Sequence, residues 1–217
     1  MEQRAQAVKS LSGELGVELW EENQRVALRQ LFASKPPFML RMDTLTPFDQ
    51  PLVTVIYHRD LLAVHDRDQG RFAVGAADAD HFEALTRVRI APSEMSSLLS
   101  GQLPRLVKEG GEVSWDDQRG KSALTLSKDE RKQVIYFDEE TMTPRLMQLY
   151  DGAILLLTIS LAEYTKTEPH LPQRMRVVVP KDKIKVELQL KEYHVNPELP
   201  EAAFKISAPP GMQVSEF

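Results

Sequence analysis

The chain has 217 residues, 42% hydrophobic and 27% charged, which supplies apolar side chains for a substantial core in one large β domain or two smaller ones. A formal net charge of -5, with Lys and Arg scattered among acids, argues against a nucleic-acid partner, which would need a basic face. The absence of cysteine excludes disulfides, thiolate metal sites and a cysteine nucleophile together.

In chain order, the first segment, residues 2–10, carries helix formers with Ala5 and Val8 three apart, and ends near Ser12-Gly13. Period-two alternation follows. Leu15, Val17 and Leu19 alternate with Gly16, Glu18 and Trp20, and Phe38, Leu40 and Met42 with Met39, Arg41 and Asp43. Val53, Val55 and Tyr57, then Leu62 and Val64, then Phe72 and Val74 continue the pattern. It resumes with Val113 and Trp115, Leu124 and Leu126, Val134 and Tyr136, and ends with Ile184, Val186, Leu188 and Leu190. Such alternation marks strands with one apolar and one wet face.

Turn chemistry separates these runs at Asp66 to Gly70, Glu109-Gly110-Gly111, Asp117 to Gly120, Asp151-Gly152 and Lys181-Asp182. Short links of this kind imply an antiparallel meander, and Asp151-Gly152 is the strongest hairpin signal among them. Two helices interrupt the meander. One spans Asp78 to Val88 with Phe82 and Leu85 apolar; the other spans Pro92 to Ser100, with Met95, Leu98 and Leu99 on one face and Gly101 as its C-terminal cap. The expected fold is mainly β: an incomplete antiparallel barrel of about eleven strands, residues 1–217 forming one domain, with short helices plugging its mouth. A sheet this long curls to protect its edges, and its concave face becomes the natural cavity.

No apolar run reaches the roughly 18 to 20 residues that span a bilayer. Residues 1–10 are polar and charged, so no signal peptide is expected there; the chain is then cytoplasmic or the mature part of an exported protein. His58, His65, His81, His170 and His194 have no ligand spacing that would suggest zinc. His58-Arg59-Asp60-Leu61 imitates a kinase catalytic loop but lacks its Asn and any glycine-rich loop, and Asp66, Asp68 and Gly70 are better explained as a hairpin turn than as a calcium loop. The acid pairs Glu21-Glu22 and Glu139-Glu140 lie in polar turn sequence. No nucleophile with a helper is visible, so the expectation is a binding protein, not an enzyme, without cofactor or metal.

Four stretches together resemble the lipoprotein-carrier family of LolA and LolB. Leu11 to Val17 with Arg25 to Phe32 resembles its opening hairpin. Phe38 to Met42 followed by Thr46-Pro47-Phe48-Asp49 resembles its apolar strand and protruding loop, with Phe48 where the family carries an exposed leucine and Asp49 where it carries glycine. Ile90 to Ser93 through Leu98 to Pro104 resembles the helix ending in a Gly-x-x-Pro signature, and Phe204 to Met212 the closing strand and Pro-x-Gly tail.

The resemblance implies binding and transfer of lipoprotein acyl chains at the periplasmic side of the outer membrane, without covalent chemistry. Implied partners are the acyl chains of lipoproteins or other lipids, a periplasmic carrier protein and the outer-membrane surface. The implied native form is anchored through a lipid on a cysteine that this chain lacks. The lining expected from inward alternation is Leu15, Val17, Leu19, Val26, Leu28, Phe38, Leu40, Met42, Val53, Val55, Leu155, Leu157, Ile159 and Leu188, with Phe82, Leu85, Met95, Leu98 and Leu99 as the plug. The plainer reading of the same residues is a filled core. Met39, Met42, Met95 and Met147 would suit an adaptable pocket. Phe48 is the expected transfer residue of the protruding loop, unless it folds back into the core. The competing readings are a sensory domain of the same fold, a structural envelope protein with a filled interior, and a hydrolase assembled from distant strands.

Overall fold

In the computed structural model, which describes residues 7–22, 24–107 and 110–217, the alternating runs form one sheet. Its first strands are β1 (Leu11–Glu21), β2 (Gln24–Lys35), β3 (Met39–Leu45), β4 (Pro51–His58), β5 (Leu61–Asp66) and β6 (Arg71–Ala76). Helices α1 (Ala79–Thr86) and α2 (Pro92–Leu99) intervene. The sheet resumes with β7 (Glu112–Asp116), β8 (Lys121–Lys128), β9 (Arg131–Phe137), β10 (Pro144–Asp151), β11 (Ile154–Tyr164), β12 (Pro172–Val179) and β13 (Ile184–Val195). A 3-10 turn (Glu201–Phe204) and a short β14 (Val214–Glu216) follow.

The sheet has fourteen strands, three more than the alternation suggested. Two antiparallel meanders, β2 to β6 and β7 to β13, are joined through β1, which pairs with β2 on one side and β13 on the other. β14 runs parallel to β6 and makes one edge; β7 makes the other. The helices therefore lie in the connection between the two edge regions, and the sheet stays open between them. Leu40, Leu62, Leu126, Ile159 and Leu188 share one buried cluster with Phe82, Leu98 and Leu99 of the helices, which requires the sheet to curl around them.

The helix signals are local and clear. Asp78 caps α1 by accepting the His81 N–H at 2.9 Å, and Arg87 ends it in the left-handed region. Pro92 opens α2, where Glu94 reaches back to the Ala91 N–H at 2.8 Å. Gly101 follows with φ +79, and a Cβ there would lie 2.9 Å from Pro172 Cδ. Thus both mid-chain helices stand where the sequence placed them. The expected N-terminal helix falls largely on residues outside those described.

The convex face is wet. Across β1 and β2 it carries Glu14 with Arg29 at 3.0 Å and Glu18 with Arg25 at 2.8 Å, and across β12 and β13 Arg176 with Glu187 at 2.9 Å. Over β3 and β4 it is instead covered by the C-terminal segment. Phe204 is fully buried there, Arg41 donates to the Ala203 carbonyl at 3.1 Å, and Asp43 accepts from Arg41 and Thr54, both at 2.6 Å. The closing strand expected near Phe204 is thus a 3-10 turn and an irregular strap; β14 is the segment that pairs.

Candidate functional site

Pairing register divides the concave face into rows. One runs Leu124, Ile135, Met147, Ile159, Val177, Val186, Leu19 and Val26 across eight strands. Next to it toward the β8–β9 turn lies Leu126, Gln133, Leu149 and Leu157; beyond that, at the rim, lie Lys128, Arg131 and Asp151. The β1–β2, β3–β4, β5–β6, β8–β9, β10–β11 and β12–β13 connections all leave this end of the sheet, which we call the mouth.

A cavity of about 940 Å³ opens there. Its floor is Met147, Leu149, Leu156, Leu157 and Val179 on the sheet, with Ile90 and Leu106 opposite. Its rim holds Arg105, Lys128, Arg131 and Lys181 together with Asp129, Glu130, Asp151 and Asp182; Glu83, Arg89 and Glu94 come from the helical side. Gln133 is only 2% exposed and shapes the wall: its Nε2 donates to the Pro104 carbonyl at 2.7 Å, and its Oε1 accepts the Leu106 N–H at 2.9 Å. An amide on the concave face thus fastens residues 104–106 across the sheet and satisfies both its own polar atoms.

Of the expected lining, Leu157 borders this cavity. Leu15, Val17, Leu40, Met42, Ile159 and Leu188, with Phe82, Met95, Leu98 and Leu99 of the plug, are buried in the continuous core. Leu19, Leu28, Val55 and Leu85 pack half-buried against it, and Val53 is half-buried on β4.

Three residues stand elsewhere than expected. Phe38 belongs to the turn before β3 and is 61% exposed, at the end of the sheet away from the mouth. Val26 faces the concave side but lies at the strand tip, 45% exposed, beyond the cover of the helices. Leu155 pairs with Tyr150 on the convex side, because a bulge between Leu149 and Tyr150 makes Leu156 the extra residue and turns it to the cavity.

Met147, weighed as an adaptable side chain, is on the floor. Gln133, Leu149, Leu156 and Val179 were not singled out. A polar residue gives no apolar signal, and Val179 ends a strand whose alternation of Arg174, Met175, Arg176 and Val177 is lost in the run Val177-Val178-Val179.

Phe48 is 85% exposed at the tip of the β3–β4 connection, at the mouth end. The loop is well built. Thr46 Oγ1 accepts the Phe48 and Gln50 N–H groups, at 3.3 and 3.2 Å, and Asp49 has φ +60 and pairs with Arg29 at 2.7 Å. Alongside, on the convex face, a groove of about 600 Å³ is lined by Gly16, Ala27, Leu45, Pro47 and Leu52. Phe48 therefore projects by design of the backbone. It does not fold back into the core.

No family model and no curated protein matches this chain. Solved structures do match over nearly its whole length. A LolA superfamily protein from Nitrosomonas europaea is similar at 12% identity and a TM-score of 0.64, covering 94% of this chain and 95% of that one. A DUF1329 family protein from Desulfovibrio piger is similar at 13% identity and 0.66, covering 97% and 94%. A domain assigned to outer-membrane lipoprotein sorting, from Vibrio parahaemolyticus, is similar at 13% identity and 0.61, covering 94% and 93%. The fold is thus the open antiparallel barrel found in LolA superfamily structures.

Proposed function

We propose that this protein binds the acyl chain of a lipid or lipoprotein in the cavity at its mouth and passes it on without a covalent step. The observation that carries the reading is the cavity: about 940 Å³ with an apolar floor, opening at the same end of the sheet as the exposed Phe48. That volume lies at the upper end of the ~300 to 1,000 Å³ common for ligand pockets. Taking a methylene as about the size of a water, ~30 Å³, a sixteen-carbon chain needs roughly 500 Å³. One such chain fits with room to spare, and two would slightly exceed the cavity.

Transferring about 14 methylenes from water at ~0.8 kcal/mol each is worth roughly 11 kcal/mol, enough to shield a chain in transit. Against a bilayer the gain is near zero, because lipid is equally apolar. Cargo therefore moves downhill without nucleotide when the protein's affinity lies between those of donor and membrane. Phe48 would touch the acceptor membrane or the cargo during that exchange.

In this reading the protein works in the periplasm at the outer-membrane surface, receiving cargo from a carrier in the manner of the LolB receptor. The likeness of fold to a lipoprotein-sorting domain and the ion-paired convex face support a water-exposed site of action; among the described residues, no helix is long and apolar enough to cross a membrane. The densely buried half of the concave face, around Leu40, Leu62 and Leu98, favours a second reading: a sensory or structural envelope domain that holds lipid without transferring it.

The test is extraction of the purified protein followed by mass spectrometry, with a transfer assay to outer-membrane-like vesicles. The carrier reading expects co-purified lipid that moves to vesicles. Lipid that stays bound supports the sensor, and a chain that is never occupied ends both.

A further inference from the structure

We propose that Arg105, Lys128 and Arg131 form a cationic collar at the cavity mouth that takes the phosphate or carboxylate head of an amphiphile, its chain lying on the apolar floor. The inference rests on the acyl-binding reading of the cavity and names the class of ligand: a single-chain lipid with an anionic head.

Register brings Lys128 and Arg131 together, and Gln133 brings the segment that carries Arg105 to the same rim. Lys128 and Arg131 are direct cross-strand partners at the end of the β8–β9 hairpin, and both belong to the concave-face row outside Leu126 and Gln133. Like charges in that relation repel; Asp151, directly opposite Arg131 on β10, offsets part of that repulsion, and a bound anion relieves the rest. Arg105 is delivered by Gln133, which holds the backbone on both sides of it, at Pro104 and Leu106, and stands two residues along β9 from Arg131 on the same face.

The cations are uncommitted. Among the described residues, no carboxylate lies within 4.0 Å of the charged atoms of Arg105, Lys128 or Arg131, whereas Arg89 of the same rim is held by Asp80 and Glu83. Glu94 is occupied by the Ala91 N–H. Asp129 and Glu130 occupy the two-residue turn between the cations, and Asp151 continues their row beyond Arg131. These acids bring the mouth near neutrality overall. They also make recognition local, depending on which charge the head meets first as the chain enters.

The geometry suits an amphiphile better than a free anion. Inside Lys128 and Arg131 the row passes through Gln133, which residues 104–106 cover, to Leu149 and Leu157, with Met147 beyond, so a head at the collar leaves its chain against the apolar part of the floor. Guanidinium groups at the rim offer charge-assisted, bidentate contacts to either head.

The experiment is a binding titration of the full chain with three amphiphiles of equal chain length below their aggregation limits: lysophosphatidic acid, a fatty acid and a monoacylglycerol, with inorganic phosphate as competitor. The same set is run on Arg105→Gln/Lys128→Gln/Arg131→Gln and on Lys166→Gln, an exposed cation of the β11–β12 connection at the end of the sheet away from the mouth. The collar predicts tighter binding of both anionic amphiphiles than of the monoacylglycerol, by about tenfold or more. It also predicts that this preference falls with salt, and that the triple variant loses it while still binding monoacylglycerol as the parent does. Lys166→Gln should leave the preference in place.

Equal affinity for all three amphiphiles would overturn the collar and leave the acyl cavity standing. Displacement of both anionic amphiphiles by inorganic phosphate, with no binding of the monoacylglycerol, would make the site one for free anions and overturn the lipid assignment of the collar. Binding of none of the probes would overturn the collar together with the cavity reading beneath it.

Discussion

Arg29 of β2 holds Asp49 at 2.7 Å with the same guanidinium that holds Glu14 at 3.0 Å, so the loop presenting Phe48 is tethered to the convex face of the sheet. The tether is exposed and adds little stability, but it limits where the phenyl ring can go. Phe48→Glu should leave folding within about 0.5 kcal/mol of the parent. Burying one phenyl ring in hydrocarbon is worth about 1.5 to 3 kcal/mol, so vesicle partitioning should fall roughly ten- to a hundredfold. Arg29→Ala should give a smaller loss with the ring intact. Co-sedimentation with lipid vesicles reads both, and unchanged partitioning of Phe48→Glu would remove Phe48 from the mechanism.

Gln133 joins β9 to residues 104–106 by two hydrogen bonds inside the fold. Gln133→Ala strands the Leu106 N–H and the Pro104 carbonyl, at about 1 to 2 kcal/mol for each of these part-buried groups. The expected result is a loss of about 2 to 4 kcal/mol in chemical unfolding, with the 102–107 segment exchanging amide hydrogen faster. Parental stability would mean that this wall of the cavity is held by something else.

Gly13 lies one residue before the bulge at which β13 carries Lys191 as an extra residue against Glu14 and Leu15, and a Cβ there would lie 1.9 Å from the Glu192 carbonyl oxygen. Backbone cannot yield as a flexible side chain can, so Gly13→Ala should cost more than about 3 kcal/mol or prevent folding. Gly120 is the control. It has φ +60 with nothing within 4 Å of the added carbon, and Gly120→Ala should cost only the strain of that backbone, about 1 kcal/mol. Thermal melts of the two variants should separate clearly, and equal losses would contradict the bulge geometry.

Asp138, in the β9–β10 connection, is held at a pKa of about 2, below its ordinary 3.8, by the Thr141 hydroxyl, the Thr141 N–H and Arg145. The unfolded chain takes up its proton near 3.8, while the folded chain resists until about 2. The contribution is therefore complete above about pH 4 and lost as pH falls toward 2. Asp138→Asn should flatten the stability-versus-pH curve in that window, measured by denaturant titration at each pH. An unaltered curve would remove Asp138 from the acid response.

Strands, turns and both mid-chain helices were legible because alternation, Asp-Gly and Pro-Gly chemistry are local signals. Asp151-Gly152 does join β10 to β11, with Gly152 at φ +55. What was not legible depends on partners distant in sequence. The bulge that sends Leu155 outward and Leu156 inward exists only in the pairing of β10 with β11. The pairing of β1 with β13, nearly the whole chain apart, decides that Leu15, Val17 and Leu188 meet as core. Gln133 reads as a solvent-facing residue until residues 104–106 pass over it. The cavity lies where Leu149, Leu157 and Val179 approach the mouth, so apolar alternation identified the face, and curl and cover decided which part of it stays open.

The most direct measurement of the central claim is saturable binding of a sixteen-carbon monoacylglycerol to the parent chain and to Leu149→Trp and Leu157→Trp, which place bulk in the cavity. Circular dichroism and unfolding would verify that each variant keeps its sheet. An acyl-binding cavity gives one saturable site in the parent and at least a tenfold loss of affinity in both folded tryptophan variants. Absence of binding in the parent, or parental affinity in variants whose cavity is filled, would contradict it.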